Sequence, residues 1–309
     1  MVFSKTRLGV GTIGFKKILT IALVHCWSFL INGQVASTFL FSDGLTKINA
    51  AQIGLNSSII RTSFTNQWDG IVNGPKNNWI HAELLNTEKP IAMGVFLGLN
   101  TSFIESRTPI LGQFAYALTL SENLKLRLGI QTGGTFFNIA FSDLESVDGI
   151  ERDLLLQRNA YFKPSFGVGL YLSHTNFFLS LAIPELLETH SLEENEVFLP
   201  NQSNFLVGGG FQKRFYNKWE LNSAIYYYRL YSDYTVFRSQ IAWRRNAFQF
   251  MIANENANRL ILGFQIHRKK ISLGYGYFFP TTTNSPSFHQ RKHHLFMLFQ
   301  LTKTKSYER

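Results

Sequence analysis

The sequence predicts an all-β protein, a transmembrane antiparallel β-barrel of about 14 strands with short periplasmic turns and longer outer loops. Three observations predict it: short segments that alternate apolar and polar residues, connectors that alternate in length, and a composition poor in charge and rich in rings. Leu124, Leu126, Leu128 and Ile130 are separated by Lys125, Arg127 and Gly129. Phe237, Ile241 and Trp243 are separated by Arg238, Gln240 and Arg244, and Leu260, Leu262, Phe264 and Ile266 by Gly263, Gln265 and His267. Residues two apart in a strand share a face, so each segment has one apolar face and one polar or small face. Charged residues are 16% of the 309 and aromatics 15%. Such a balance suits strands with aromatic girdles better than a soluble domain of average make-up.

The alternation places strands at 59–68, 77–85, 92–101, 111–120, 124–141, 161–172, 177–184, 203–215, 219–230, 234–244, 248–255, 259–267, 271–280 and 293–301. Every second link is a tight turn: Ser121-Glu122-Asn123, Ser173 to Asn176, Tyr216-Asn217-Lys218, Arg245-Asn246-Ala247 and Arg268-Lys269-Lys270. Their residues are turn formers. The intervening links 69–76, 102–110, 142–160, 185–202 and 281–292 are mostly longer, although 231–233 and 256–258 are short. A soluble sandwich has no reason to sort loop length in this way. A closed barrel also removes strand edges and pairs every backbone group, as hydrocarbon demands. Gly167, Gly169, Gly208 to Gly210, Gly274 and Gly276 fall on or near the expected inner faces, where crowding favours the absence of a side chain.

Upstream of the strands the chain reads differently. Lys16 and Lys17 precede an apolar run from Ile18 to Ile31, followed by Asn32-Gly33-Gln34. A basic lead, a short apolar core and a small exit residue describe a secretory signal peptide over 1–33. The run is short for a membrane anchor. Cys26, the single cysteine, lies inside it, with His25 where a lipid-attachment signal needs a small residue. Cleavage after Gly33 leaves no cysteine, and so no disulfide or thiolate metal site. Loss of Lys5, Arg7, Lys16 and Lys17 lowers the net charge from +10 to about +6. The remaining bases are dispersed, which argues against nucleic-acid binding. Residues 34–58 are weakly patterned and read as a periplasmic lead-in or a partial plug. The barrel spans 59–301, and 302–309 form a charged periplasmic tail.

Two outer loops hold half of the carboxylates. The first carries Asp143, Glu145, Asp148, Glu151 and Asp153, and the second Glu185, Glu188, Glu193, Glu194 and Glu196. They suit either a contact face for a basic partner or a solvated surface above an anionic membrane; no EF-hand spacing is present. Gln67-Trp68-Asp69-Gly70 and Asn73-Gly74-Pro75 form the first outer hairpin, with Trp68 suited to the aromatic belt. The candidate partner-binding residues are therefore Trp68, Asp69, Gly70, Gly74, Pro75, Asp143, Glu145, Asp148, Glu193, Glu194 and Glu196. Lys125, Arg127, Arg238 and Arg244 are candidate inward bases of the lumen. No catalytic constellation or cofactor motif stands out. His293 and His294 adjoin in a strand and so face opposite ways, which disfavours a paired metal site. Gly9 to Gly14 matches a dinucleotide fingerprint by letter but follows no strand.

The stretches RTSFTNQWDGIVNGP (Arg61 to Pro75), LRLGIQTGGTFFNIAFSDLESVD (Leu126 to Asp148) and FKPSFGVGLYLSHTNFFLSLAIPELL (Phe162 to Leu187), in that order, with Tyr275 to Tyr277 near the end, resemble the PorP/SprF family. The chain departs from the family pattern in lacking an alanine between Gly74 and Pro75 and any proline over 35–58. The resemblance implies a non-enzymatic bacterial outer-membrane barrel of the type IX secretion and gliding machinery. It implies secretion components and a secreted surface protein, such as an adhesin, as partners, alongside outer-membrane lipid. The alternative reading, from the inward bases, is a channel or transporter for small anionic or hydrophobic solutes.

Overall fold

The computed structural model describes residues 42–67, 73–140, 158–186, 204–215, 218–229, 235–256, 259–281 and 292–301. Fourteen antiparallel strands run in sequence order: β1 (Ile59–Gln67), β2 (Lys76–Leu85), β3 (Ile91–Ser102), β4 (Glu105–Ser121), β5 (Leu124–Ala140), β6 (Arg158–His174), β7 (Phe177–Ile183), β8 (Phe205–Arg214), β9 (Trp219–Arg229), β10 (Thr235–Arg245), β11 (Phe248–Glu255), β12 (Arg259–Arg268), β13 (Ile271–Pro280) and β14 (Lys292–Gln300). Each pairs with its sequence neighbours, and β1 pairs with β14 to close the barrel. Among the described residues no helix is long and apolar enough to cross a membrane; the chain crosses with strands.

Alternation sets the two faces. In β1, Phe64 is 52% exposed while its neighbour Ser63 is fully buried. Met93, Val95, Leu97 and Leu99 of β3 point out, while Ala92 and Phe96 point in and are buried. The outward apolar residues recur from strand to strand, as a lipid-facing belt requires. At the turn end the belt closes in rings: Phe177 opposite Phe211, then Trp219, Trp243 and Phe248.

The strand ends differ as expected. At one end the links are 86–90, 122–123, 175–176, 215–218, 246–247 and 269–270. Two of the tightest hairpins carry a left-handed residue, Asn246 at φ 51° and Lys269 at φ 53°. At the other end lie the long links 141–157, 184–204 and 281–291. The expected outer loop 102–110 is not a loop. β4 starts at Glu105, and Phe103 and Ile104 alone turn the chain. Pro109 lies inside the strand, where it donates no N–H to the ladder. Gly98 on β3 accommodates it, since a Cβ there would lie 2.7 Å from Pro109 Cγ. β6 likewise starts at Arg158 rather than 161. As a result β4, β5 and β6 have 17 residues each, where about 9–11 suffice to span a bilayer.

Residues 42–53 run inside the barrel as two 3-10 turns, Ser42–Lys47 and Ala50–Gln52. Gly54 lies against Leu85 and Ala92, near the short-turn end. Leu45 packs with Leu206, Tyr228 and Val236, near the opposite end. Followed back from β1, the segment climbs the lumen from its periplasmic mouth into its outer half.

Candidate functional site

The site with the densest chemistry is the contact between this segment and the inner wall. It is built by strand parity: the same alternation that sends leucines to lipid sends Arg61, His81, Glu83, Gln113, Arg127 and Gln131 inward, and all are buried. Arg127 of β5 donates from Nε to the Ala51 carbonyl, 2.8 Å, and from Nη2 to the Ile53 carbonyl. Glu83 of β2 accepts from the Gly54 amide, 2.8 Å, and lies 3.5 Å from Arg61 Nη1. Arg61 donates to Thr46 Oγ1, 3.1 Å, which also meets His81 Nδ1 at 3.1 Å. Gln113 donates to the Thr46 carbonyl, 2.8 Å, and lies 2.7 Å from His81 Nε2. Polar groups buried at such depth need partners, and here the segment and the wall supply them to each other.

Asn49 holds the opposite side. Its Nδ2 donates to Ser180 Oγ, 2.9 Å, and to the carbonyls of Leu170 and Leu181, both 3.1 Å. Its Oδ1 accepts from the Ala51 amide at 2.9 Å and so caps the second turn. Gln52 Nε2 donates to the same Ser180 hydroxyl, 2.7 Å. Two glycines make room. Gly129 and Gly169 are cross-strand partners on β5 and β6. A Cβ on Gly129 would lie 2.1 Å from the Ala51 nitrogen, and one on Gly169 2.0 Å from Asn49 Oδ1. No side chain fits at either place while the segment is seated.

The wall of β10–β14 is organised otherwise. Ala242, Met251, Ala253, Ile261, Phe278 and Phe296 form an inward apolar cluster. Above it, Glu255 pairs with Arg238 and Arg259, each at 3.4 Å. Lys292 Nζ sits 4.7 Å from the centre of the Phe278 ring.

The four inward bases expected from sequence separate into distinct settings. Arg127 holds the segment, and Arg238 is fully buried beside Glu255. Arg244 is half-exposed at the periplasmic mouth, 3.6 Å from Glu220, which Arg214 approaches at 2.9 Å. Lys125 is exposed at the same end. Of the hairpin residues, Gly74 is buried and Pro75 half-buried, and the Pro75 carbonyl accepts from the Gln67 amide. Trp68, Asp69, Gly70, Asp143, Glu145, Asp148, Glu193, Glu194 and Glu196 lie outside the described residues, as do the expected signal peptide and tail. Glu185 at the start of the second acidic link pairs with Lys163, 3.3 Å. Arg61, His81, Glu83, Gln113, Gln131 and Ser180 escape the sequence analysis. Their signal is parity, since each alternates with lipid-facing neighbours.

The family model described as type IX secretion system membrane protein PorP/SprF matches residues 48–299, which takes in part of the luminal segment and nearly the whole barrel. The chain belongs to the PorP/SprF family. Membership in this secretion family together with the lipid-facing closed barrel makes it a bacterial outer-membrane protein. The family implies association with type IX secretion components. No curated protein matches the chain. Among solved structures, the chain is similar to the CymD monoaromatic hydrocarbon channel, with 10% identity and a TM-score of 0.50 over 87% of this chain and 96% of that one. It is also similar to the outer membrane protein Omp33 of Acinetobacter baumannii, with 5% identity and a TM-score of 0.47 over 80% and 99%. A Pseudomonas aeruginosa FadL homologue has 10% identity and a TM-score of 0.46 over 82% and 93%. At such identities these likenesses concern the fold of this PorP/SprF barrel and nothing finer.

Proposed function

We propose that this PorP/SprF barrel is a non-enzymatic platform that holds a secreted partner, such as an adhesin, at the cell surface. Residues 42–53 serve it as a stopper that keeps the lumen from acting as a solute path. The observation that carries this reading is the seated segment. Its backbone carbonyls and amides are taken up by Arg127, Glu83 and Gln113, so the wall's strongest hydrogen-bonding groups are committed to the chain itself. A lumen built to pass solutes would turn those groups toward water. Partner holding then falls to the outer end. There β4–β6 extend past the length a bilayer needs, the first acidic link joins β5 to β6, and the second joins β7 to β8. The extended wall is stiffened by local pairs. Arg107 contacts Glu105 at 2.6 Å and lies 5.4 Å from the Phe137 ring, which stacks on Tyr161 at 4.8 Å. Rigid strands beneath a loop lower the ordering cost of docking.

The test is deletion of the gene followed by an inventory of surface proteins. Loss of one secreted protein from the surface, with its level in the medium raised, supports the platform. Replacement of 142–157, the link up to the start of β6, by a short Gly/Ser turn should leave the barrel assembled and abolish retention. The alternative reading, a channel for small anionic or hydrophobic solutes, predicts steady conductance from the purified barrel. Large anion-selective conductance with an unchanged surface inventory would overturn the platform.

A further inference from the structure

The periplasmic rim is electrically lopsided. Lys213 on β8, Arg245 on β10 and Arg268 on β12 are all exposed and share the outward face with Phe211, Trp243 and Ile266, two residues up each strand. They lie on the lipid side at the level of the aromatic ring or one step below it, Arg245 being level with Trp219 and Phe248. Arg245 pairs across the ladder with Trp219 and lies 5.0 Å from its ring centre, and Lys213 lies 5.4 Å from that of Phe215. On the arc from β2 to β7 the same outward level holds Leu84, Leu118, Leu120, Leu126 and Leu172, and among the described residues no Lys or Arg. The inward bases of the rim, Arg214 and Arg244, are paired with Glu220; the three outward cations have no carboxylate among the described ion pairs.

We propose that the β8–β12 arc binds anionic phospholipid headgroups of the periplasmic leaflet. This goes beyond the platform reading and does not depend on it. The placement fits a lipid better than a protein. An outward side chain at or just below a ring of tryptophan and phenylalanine sits at headgroup depth, where Lys and Arg lay their stems on hydrocarbon and hold their charge at the phosphate. A soluble acidic partner would engage the turn tips instead, where Lys218, Lys269 and Lys270 are exposed. Spacing along one arc gives several phosphates, or one doubly charged lipid, neighbouring cations to share. The opposite arc has leucines at that outward depth; its exposed cations Lys89 and Lys125 lie in a turn and on the inward face.

The test is native mass spectrometry of the purified mature barrel titrated with phosphatidylglycerol or phosphatidylcholine. The wild type should retain phosphatidylglycerol in preference to phosphatidylcholine. Lys213→Gln, Arg245→Gln and Arg268→Gln should each weaken that retention about fivefold, and the triple variant roughly 100-fold. Arg245→Lys with Arg268→Lys, which keeps the charge, should restore most of it and controls for misfolding. Glutamine replacements at Lys218, Lys269 and Lys270 should have little effect on lipid. Equal retention of the two lipids by the wild type overturns the proposal, as does undiminished phosphatidylglycerol binding by the triple variant. An acidic protein that co-purifies with the wild type and is lost from the triple variant, with lipid retention unmoved, reassigns the arc to that partner.

Discussion

The two inner walls of the barrel solve the same packing problem in opposite ways. The wall of β1–β7 spends its polar groups on another piece of chain, with Arg127, Glu83, Gln113 and Ser180 each bonded to residues 46–54. The wall of β10–β14 fills its space with Met251, Ile261, Phe278 and Phe296 and pairs Glu255 with neighbouring arginines. The first wall is a cradle, shaped by what it holds. The second is a core in the ordinary sense, closed on itself. The barrel therefore divides its interior between a wall bonded to the segment and a wall packed on itself.

The comparison is best broken at the glycines. Gly129→Val with Gly169→Val puts side chains into the Ala51 backbone and Asn49, and should expel the segment altogether. The readout is labelling of an Ala51→Cys variant by a water-soluble maleimide, slow in the parent and fast in the double valine variant. A core mutation should do the reverse. Phe278→Ala should cost about 3–5 kcal/mol in urea unfolding while leaving the thiol introduced at position 51 as protected as before. If both changes deprotect position 51, the walls are not separate. Arg127→Met removes the donors to two buried carbonyls and should cost about 3 kcal/mol together with faster labelling. Asn49→Ala deletes a cap as well as cross-wall bonds, and should cost about 1–2 kcal/mol. Arg244→Gln breaks a half-exposed pair with Glu220 and should change stability by less than about 1 kcal/mol.

The strands were legible because lipid imposes a strict rule on every outward position. Most strand bounds read from alternation lie within two residues of those observed. The misread link at 102–110 shows the limit of the rule. Pro109 looks like an interruption until the facing Gly98 is known, and Gly98 belongs to another strand. The cradle was half legible. Arg127 was placed inward by parity, and the same parity marks Arg61, His81, Glu83 and Gln113. What the sequence does not display is their common partner. Residues 42–53 follow no strand or helix period, because their shape is set by the wall that surrounds them rather than by a repeating pattern of their own. The pair Gly129 and Gly169 reads as two ordinary inward glycines until Asn49 and Ala51 are set against them.

The ring closes where its first strand meets its last, with Ile59 beside Gln300 and the Leu301 amide donating to the Ser58 carbonyl. No other strand pairing among the described residues joins positions so distant along the chain, so it carries the heaviest loop-closure entropy and is expected to form late. A chain halted just before that step would expose two raw edges at once, β1 and β14, each a template for the wrong neighbour. Biogenesis of this protein is thus most vulnerable at its final zip. Mutations at that seam should show themselves first as lost yield and degradation in the periplasm, before any defect in the finished barrel.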